Sequence, residues 1–241
     1  MRFSAPLRSL CLTLALTVPA LPASAVVIPL SKLTGLVGTA PNDQTAVYAA
    51  NLGAFPGLFA AISISDVSGG FGGAAGQFSG FDLDGIKLST TNCATAACAA
   101  AAPGLSLFDF ATGVVFFPGT QRAPIDPKLF GTGPGGLTVD NSVATLGSFD
   151  AVSSTTIPNG FLSLGDNGAI VFNLTALTST AGLYLYIGEV GDNGEVAGSN
   201  IELRSTAVPE PAAWALLTLG FGAIGYSLRD RRKATPRIRF A

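Results

Sequence analysis

The chain has 241 residues, of which 12% are charged and 48% hydrophobic, and it contains no histidine. Without histidine, the Ser-His-Asp and Cys-His catalytic arrangements and the usual zinc hydrolase sites are excluded. The net charge of −2 hides an uneven distribution, because Val26 to Ala207 carries five basic and thirteen acidic side chains, a net charge of about −8. This acidity argues against nucleic acid as a partner, since phosphate binding needs clustered lysine and arginine.

Residues 1–25 have the three parts of a secretory signal peptide. Arg2 and Arg8 make the start basic, Leu10 to Val18 form a short apolar core, and Ala23-Ser24-Ala25 supplies small residues before the cleavage point. We therefore expect the secretion translocon to export the chain and signal peptidase to cut after Ala25. Residues 26–207 are then the exported domain, long enough for one sizeable core.

The exported domain is rich in Gly, Ala, Ser, Thr, Leu and Val and poor in Lys, Glu and Arg, which favours a mostly β domain. Val26 to Gly53 shows few periodic features. Alternating Leu and Tyr residues predict a half-buried strand at Gly182–Val190. Many short strands separated by turns favour a single β-sandwich. The strands are predicted at Gly57–Asp66, at Gln77–Ser89 (one strand or a bent pair), as two strands within Leu105–Phe117, and at Ser142–Ala151, Phe161–Leu164, Ala169–Leu177, Gly182–Val190 and Asn200–Ser205.

Turns are predicted between these strands. Gly69 to Gly76 is too rich in glycine to hold regular structure, and Pro118 to Gly136 is a long connection rich in proline and glycine. The sequence GDNG occurs at residues 165–168 and again at 191–194. Because Asn-Gly tolerates positive φ at both central positions of a turn, it predicts a tight hairpin at each place.

Cys93 and Cys98 are the two cysteines of the exported domain. An exported chain meets oxidising conditions, so we expect a disulfide that closes this short loop. A zinc site is the alternative, but two thiolates without histidine leave zinc short of ligands.

Carboxylates supply the remaining candidate chemistry. Asp82 and Asp84 are predicted to share one strand face, and Asp192, Asn193 and Glu195 offer oxygen ligands at a turn, so a calcium site is the metal hypothesis. The alternative is that these side chains form Asx-turns and solvated strand edges. A glycosidase also needs paired carboxylates, but we found no catalytic motif and expect no enzymatic activity and no cofactor other than this calcium.

The end of the chain has three parts in order. Val208-Pro209-Glu210-Pro211 should be extended, because proline disfavours helix in the residue before it. Residues 212–228 carry no charge and, as a helix, would span roughly 25 Å, near the short end for a transmembrane segment. Residues 229–241 are basic, and this basic end predicts a cytoplasmic tail. Its stop residues are Arg229, Arg231, Arg232 and Lys233.

This arrangement of VPEP, short apolar span and basic end resembles the PEP-CTERM sorting signal. In that family an exosortase, a membrane-embedded cysteine transpeptidase-like enzyme, cuts near the motif and passes the protein towards the cell surface. The segment from Leu162 to Val196 also resembles jelly-roll sandwiches of the galactose-binding type. The two resemblances imply a jelly-roll-like exported domain and an exosortase as the processing partner.

Together these features predict a bacterial protein of the inner membrane, single-pass with an exported domain, that moves to the surface or the extracellular matrix after processing. We expect a non-enzymatic structural or surface role in an exopolysaccharide layer. The alternative is a carbohydrate- or calcium-binding surface module.

Overall fold

The computed structural model of the protein describes residues 25–38, 44–67, 69–71, 73–151, 159–193, 195, 199–209, 218–222 and 226. The predicted signal peptide therefore lies outside the described residues except for Ala25, where the first strand begins.

The described chain is mostly β, with a few short helices. Its strands are β1 (Ala25–Val27), β2 (Ser31–Val37), β3 (Thr45–Asn51), β4 (Leu58–Asp66), β5 (Asp82–Ser89), β6 (Val114–Phe117), β7 (Leu162–Ser163), β8 (Ala169–Ser179), β9 (Tyr184–Val190) and β10 (Ser199–Arg204). Its α-helices are α1 (Ala96–Ala101) and α2 (Asn141–Ala144), and Leu52–Ala54 and Gly76–Phe78 are single 3₁₀ turns.

The strands form two five-stranded sheets with antiparallel pairing throughout. The first sheet has the order β1-β10-β4-β8-β6, and the second has the order β2-β3-β9-β5-β7. Strands that follow each other in sequence often lie in different sheets, so the chain passes repeatedly between two layers. The architecture is sandwich-like, as predicted.

The core lies between the two sheets. Phe59, Ile62 and Phe172 come from the first sheet, and Ile86 and Leu185 come from the second, all at 1% exposure or less. Alternation along each strand places these side chains on one face. Each such side chain stabilises the fold by ~1.5–3 kcal/mol through burial.

The outer face of the second sheet is also buried, so the prediction of a half-buried β9 is wrong. Tyr186 points outward from β9, yet it is fully buried beneath α1 and the Cys93–Cys98 loop. Its hydroxyl accepts a hydrogen bond from the Cys93 N–H (2.9 Å) and donates one to the Thr91 carbonyl (2.6 Å). Strand alternation in the sequence could not show that a distant loop covers this face.

The predicted disulfide between Cys93 and Cys98 is present. It closes the turn that leads into α1, where the Thr95 hydroxyl caps the helix by accepting a hydrogen bond from the Cys98 N–H (3.2 Å). Lys87 holds the other end of α1, where its Nζ donates to the carbonyls of Ala99 (2.9 Å), Ala100 (2.8 Å) and Ala102 (3.1 Å). A cation at a helix C-terminus satisfies carbonyls that have no partner within the helix.

Two strand predictions differ from the structure, and one region without a predicted strand contains three strands. Leu105–Phe117 contains one strand, β6, because Asp109 accepts hydrogen bonds from the Ala111 and Thr112 N–H groups and turns the chain. Ser142–Ala151 is not a strand, because Asp140 caps the short helix α2 there. Val26 to Gly53, where periodicity was weak, forms β1, β2 and β3.

The two GDNG segments are turns, but the hairpin prediction is wrong for both. The first joins β7 to β8 and the second lies between β9 and β10, and each pair of strands belongs to different sheets. Asn167 (φ 62°) and Asp192 (φ 49°) adopt the left-handed conformation that such turns require. The left-handed residue is the Asn of the Asn-Gly pair in the first turn but Asp192, one residue earlier, in the second. Strand pairing depends on contacts distant in sequence, which a turn motif does not specify.

Candidate functional site

The segment that follows β10 crosses the outer face of the first sheet. β10 ends at Arg204, which pairs with Ala61 on β4. Val208, four residues later, packs against Ala61, Val115 and Val171, which are outward-facing residues of β4, β6 and β8. The chain therefore runs from β10 towards β6 over its neighbouring strands.

Asn173 on β8 fixes this segment through its side-chain amide. Its Nδ2 donates to the Val208 carbonyl (2.8 Å), and its Oδ1 accepts from the Val208 N–H (2.8 Å). The two bonds satisfy both main-chain polar groups of Val208, as a neighbouring strand would. Val208 is half-buried, whereas Ala207 and Pro209 on either side are exposed.

The other predicted sorting residues lie largely outside the described part of the chain. The residues outside it are Glu210, Pro211 and the stop residues Arg229, Arg231, Arg232 and Lys233. Within the predicted span, residues 218–222 and 226 are described and are helical. A search of the described residues finds no helix with the length and apolar character to span a membrane.

Residues 207–233 match the family described as the PEP-CTERM protein-sorting motif. The chain carries this motif. A PEP-CTERM motif marks an exported, membrane-anchored surface protein that is processed by an exosortase. No curated protein and no solved structure matches the chain.

The predicted calcium ligands lie on the second sheet and the turn beside it, and the structure brings only some of them together. The Asp82 N–H donates to Glu195 Oε2 (3.0 Å), and Asp82 also accepts a hydrogen bond from the Ser163 hydroxyl. Asp82 and Glu195 are 6% and 1% exposed, so this is an enclosed contact. Sequence spacing did not suggest that these two carboxylates meet.

The remaining predicted ligands have other partners. Asp84 accepts from the Thr45 hydroxyl (2.6 Å) and from the Ala151 N–H (3.0 Å). Asp192 forms an ion pair with Lys32, and Asn193 donates its N–H to Glu189 Oε1 (3.0 Å). Among the residues that the structure describes, no group of three or more Cys, Asp or Glu side chains has an arrangement that could hold a metal ion.

Burial dominates the electrostatics of these carboxylates. It raises the pKa of Asp84 to about 7, against the opposing effect of the Thr45 hydrogen bond. Burial, followed by the charge of Asp82, raises the pKa of Glu195 to about 9. The pKa of Asp82 is also raised well above its ordinary value, chiefly by burial. The enclosed position of Asp82 and Glu195 therefore disfavours the ionised form of each carboxylate.

Two residues that the sequence did not single out complete this buried cluster. Glu189, fully buried on β9, raises the pKa values of Asp82 and Glu195 through its charge, and Arg122 opposes that effect. Gly73 makes the approach of Glu195 possible, because a Cβ there would stand 1.7 Å from Glu195 Oε1. A buried ion cluster assembled from distant segments leaves no local pattern in the sequence.

An apolar groove of about 570 Å³ lies beside the edge strand β6, apart from the carboxylate cluster. Phe117 and Leu137, both on its wall, are 45% and 69% exposed. Phe110, Val115 and Val139 are among the other lining residues. The groove therefore adjoins the place where Val208 lies, since Val115 contributes to both.

Proposed function

We propose that this protein is a non-enzymatic surface protein that an exosortase sorts from the bacterial inner membrane to the surface or the extracellular polysaccharide matrix. The match of residues 207–233 to the PEP-CTERM motif carries this proposal. In it, signal peptidase and the translocon release residues 26–207 outside, a single C-terminal span at 212–228 anchors them, and residues 229–241 remain inside.

The structure offers two supports for the finer points of this proposal. The sorting segment begins directly after the last strand, so the motif is separated from the sandwich by a very short connection. The strand order, with β1-β10-β4-β8 in one sheet and β3-β9-β5-β7 in the other, supports a jelly-roll topology with β2 and β6 added at the edges.

The non-enzymatic role is supported by the enclosure of the clustered carboxylates. Asp82, Asp84, Glu189 and Glu195 are each 6% exposed or less. A glycosidase needs two carboxylates that a sugar can reach from both faces of its ring. These carboxylates hold strands and turns together instead.

Changing Pro209 and Glu210 together to alanine tests the sorting function. We expect the double variant to remain in the membrane fraction as the unprocessed precursor, while the wild-type chain reaches the surface. Pro56→Ala, at an exposed proline of the sandwich, is the control and should behave as the wild type. Normal processing and surface delivery of the double variant would refute the proposal.

A carbohydrate-binding surface module is the second candidate, and the groove beside β6 favours it. Phe110 and Phe117 line the groove, and aromatic faces are the surfaces on which sugar rings pack. A glycan array with the full chain tests this candidate, with Phe117→Ser as the variant. If no glycan binds the chain, or if glycan binding is unchanged in Phe117→Ser, the carbohydrate-binding candidate is wrong.

Calcium binding by the same module would use the predicted oxygen ligands Asp82 and Glu195, whose contact in the structure is the hydrogen bond from the Asp82 main-chain N–H to Glu195 Oε2. Calorimetric titration of the full chain with calcium tests it. A titration without heat, together with an unchanged unfolding temperature, would remove calcium from the proposal.

A further inference from the structure

Two hydrogen bonds join Asn173 of the sandwich to Val208, the first residue of the VPEP motif. We propose that Asn173 is a positioning residue that retains Val208 on the first sheet, and that an exosortase can process the motif only when this contact opens. The inference rests on the proposed function, because it assigns a regulatory contact to the same motif.

The first argument concerns the main chain of Val208. Enzymes and domains that bind extended peptides do so largely through main-chain hydrogen bonds. The N–H and the C=O of Val208 are both bonded to the Asn173 amide at 2.8 Å. A processing enzyme that binds Val208 in an extended conformation must therefore displace Asn173.

The second argument concerns the side chain of Val208. It packs on Ala61, Val115 and Val171, which are themselves 3% exposed or less. Release exposes part of this apolar surface to water, which opposes opening. The contact is thus held by polar and apolar interactions together.

The third argument is the length of the connection. Three residues, Ser205 to Ala207, separate the end of β10 from Val208. A fully extended chain covers at most ~3.3–3.6 Å per residue, so Val208 can move no more than roughly 14 Å from Arg204. While Asn173 holds Val208, this first residue of the VPEP motif lies against the sheet, where the sandwich obstructs an enzyme on one side.

Since an enzyme acts on the open population, the apparent rate of processing scales with the fraction of molecules in which the contact is open. Asn173 sets that fraction without touching the reacting atoms. It lies in β8, which pairs with β4 and β6, so its position depends on a folded sandwich. Unfolded precursor would therefore expose the motif fully, whereas folded precursor exposes it in proportion to the opening.

Amide hydrogen exchange of the full chain in detergent micelles measures the contact directly. We expect the Val208 N–H to exchange about tenfold faster in Asn173→Ala than in the wild type, with the Ile64 amide of the core unchanged. Thr175→Ala, at an exposed position of the same strand, is the matched control and should leave both amides unchanged. Equal Val208 exchange in Asn173→Ala and wild type would overturn the inference.

Asn173→Asp should restore full protection of the Val208 N–H at low pH only, which a purely structural role of Asn173 would not produce. At pH 7 its carboxylate can still accept from the Val208 N–H, but it lacks the donor and repels the Val208 carbonyl, so exchange should lie between that of the wild type and that of Asn173→Ala. Below its ordinary pKa of about 3.9, the neutral carboxyl can donate to that carbonyl and accept from the N–H. Val208 exchange in Asn173→Asp should then fall several-fold below that of Asn173→Ala at the same pH. Identical exchange of the two variants at both pH values would refute the assigned bonding.

Pulse–chase conversion of precursor in the native host, with its exosortase, measures the consequence. Asn173→Ala should be processed up to about tenfold faster, and Thr175→Ala at the wild-type rate. If processing requires Pro209 and Glu210 but is not accelerated by Asn173→Ala, the inference about Asn173 fails alone. If processing proceeds without Pro209 and Glu210, the proposed function fails and the inference fails with it.

Discussion

The outer faces of the two sheets are both covered, but by chain of different kinds. On the second sheet, α1 and the disulfide loop cover outward-facing residues of β3 and β9, and buried carboxylates lie on β5 and β9 themselves. On the first sheet, the segment after β10 covers β4, β8 and β6 through Val208. The cover of the second sheet, called the second cover, belongs to the interior of the domain. The cover of the first sheet, called the first cover, leads directly into the sorting motif.

The bonds differ as well as the segments. Charged or titratable groups hold the second cover, and removing one partner of a buried group leaves the other without compensation. One neutral amide and one valine hold the first cover, both half-buried. We infer that the second sheet contributes to stability, while the first sheet carries a contact weak enough to open locally.

The pH dependence of stability should show the largest effect and should come from the second sheet. The pKa of Asp84 is about 7 and that of Glu195 about 9 in the folded protein, while both are near 4 in an unfolded chain. The folded state therefore binds more protons, and stability present below pH ~4 is lost as pH rises to 7 for Asp84 and to 9 for Glu195. Each group contributes a slope of about −1.4 kcal/mol per pH unit.

Urea unfolding of the full chain in micelles between pH 4 and 9 measures this dependence. Glu195→Gln, which keeps the shape without the titration, is the control. It should remove the slope between pH 7 and 9 and leave the slope that Asp84 contributes below pH 7. Stability that rises with pH across this window would show that the carboxylates are ionised and compensated in the folded protein.

Substitutions of Asp84 should separate its hydrogen bonds from its charge. Asp84→Ala leaves the Thr45 hydroxyl and the Asp150 and Ala151 N–H groups without their acceptor, at a cost of about 3 kcal/mol. Asp84→Asn keeps an acceptor for the two N–H groups, and its Nδ2 would donate to the Thr45 hydroxyl, which in the wild type donates to Asp84. At pH 9 it should be more stable than the wild type, because it cannot ionise. Urea unfolding of both variants measures the difference. An equal loss in the free energy of unfolding for the two variants would contradict the separate roles of the hydrogen bonds and the charge.

The sequence predicted features that depend on neighbouring residues. The Cys93–Cys98 disulfide, the strands β4, β8, β9 and β10, and the sorting segment each come from a local pattern of residue types. Alternation places a side chain on one face of a strand, and Pro-Glu-Pro before an apolar run is itself a continuous motif. Such features need no knowledge of distant contacts.

The features that the sequence did not predict depend on which distant segments meet. The burial of Tyr186 requires α1, and the approach of Glu195 to Asp82 joins residues 113 positions apart. Asn173 is a polar residue in an apolar strand, which is a sign of a specific partner, but the strand pattern does not name Val208 as that partner. Each Asn-Gly turn likewise connects strands of different sheets, so the pairing of those strands with other partners overrode the hairpin preference of the turn.

Removal of the disulfide should have an intermediate effect, confined to the cover of the second sheet. Changing Cys93 and Cys98 together to serine should lower the free energy of unfolding by about 2 kcal/mol, as expected for a short closed loop. Thermal unfolding with and without reductant measures it, and reductant should not affect the double variant. Faster exchange at Val208 in this variant would contradict the separation of the two covers.

Asn173→Ala should have the smallest effect on global stability, about 1 kcal/mol or less, although it changes the exposure of Val208 most. Each neutral hydrogen bond contributes only ~0.5–1.5 kcal/mol, and local opening leaves the core strands paired. Urea unfolding of the full chain, beside Thr175→Ala as control, provides the measurement. A cost as large as that of Asp84→Ala would mean that the segment after β10 is part of the sandwich's own structure. In that case processing would have to await unfolding of the domain, and the two covers would no longer differ in kind.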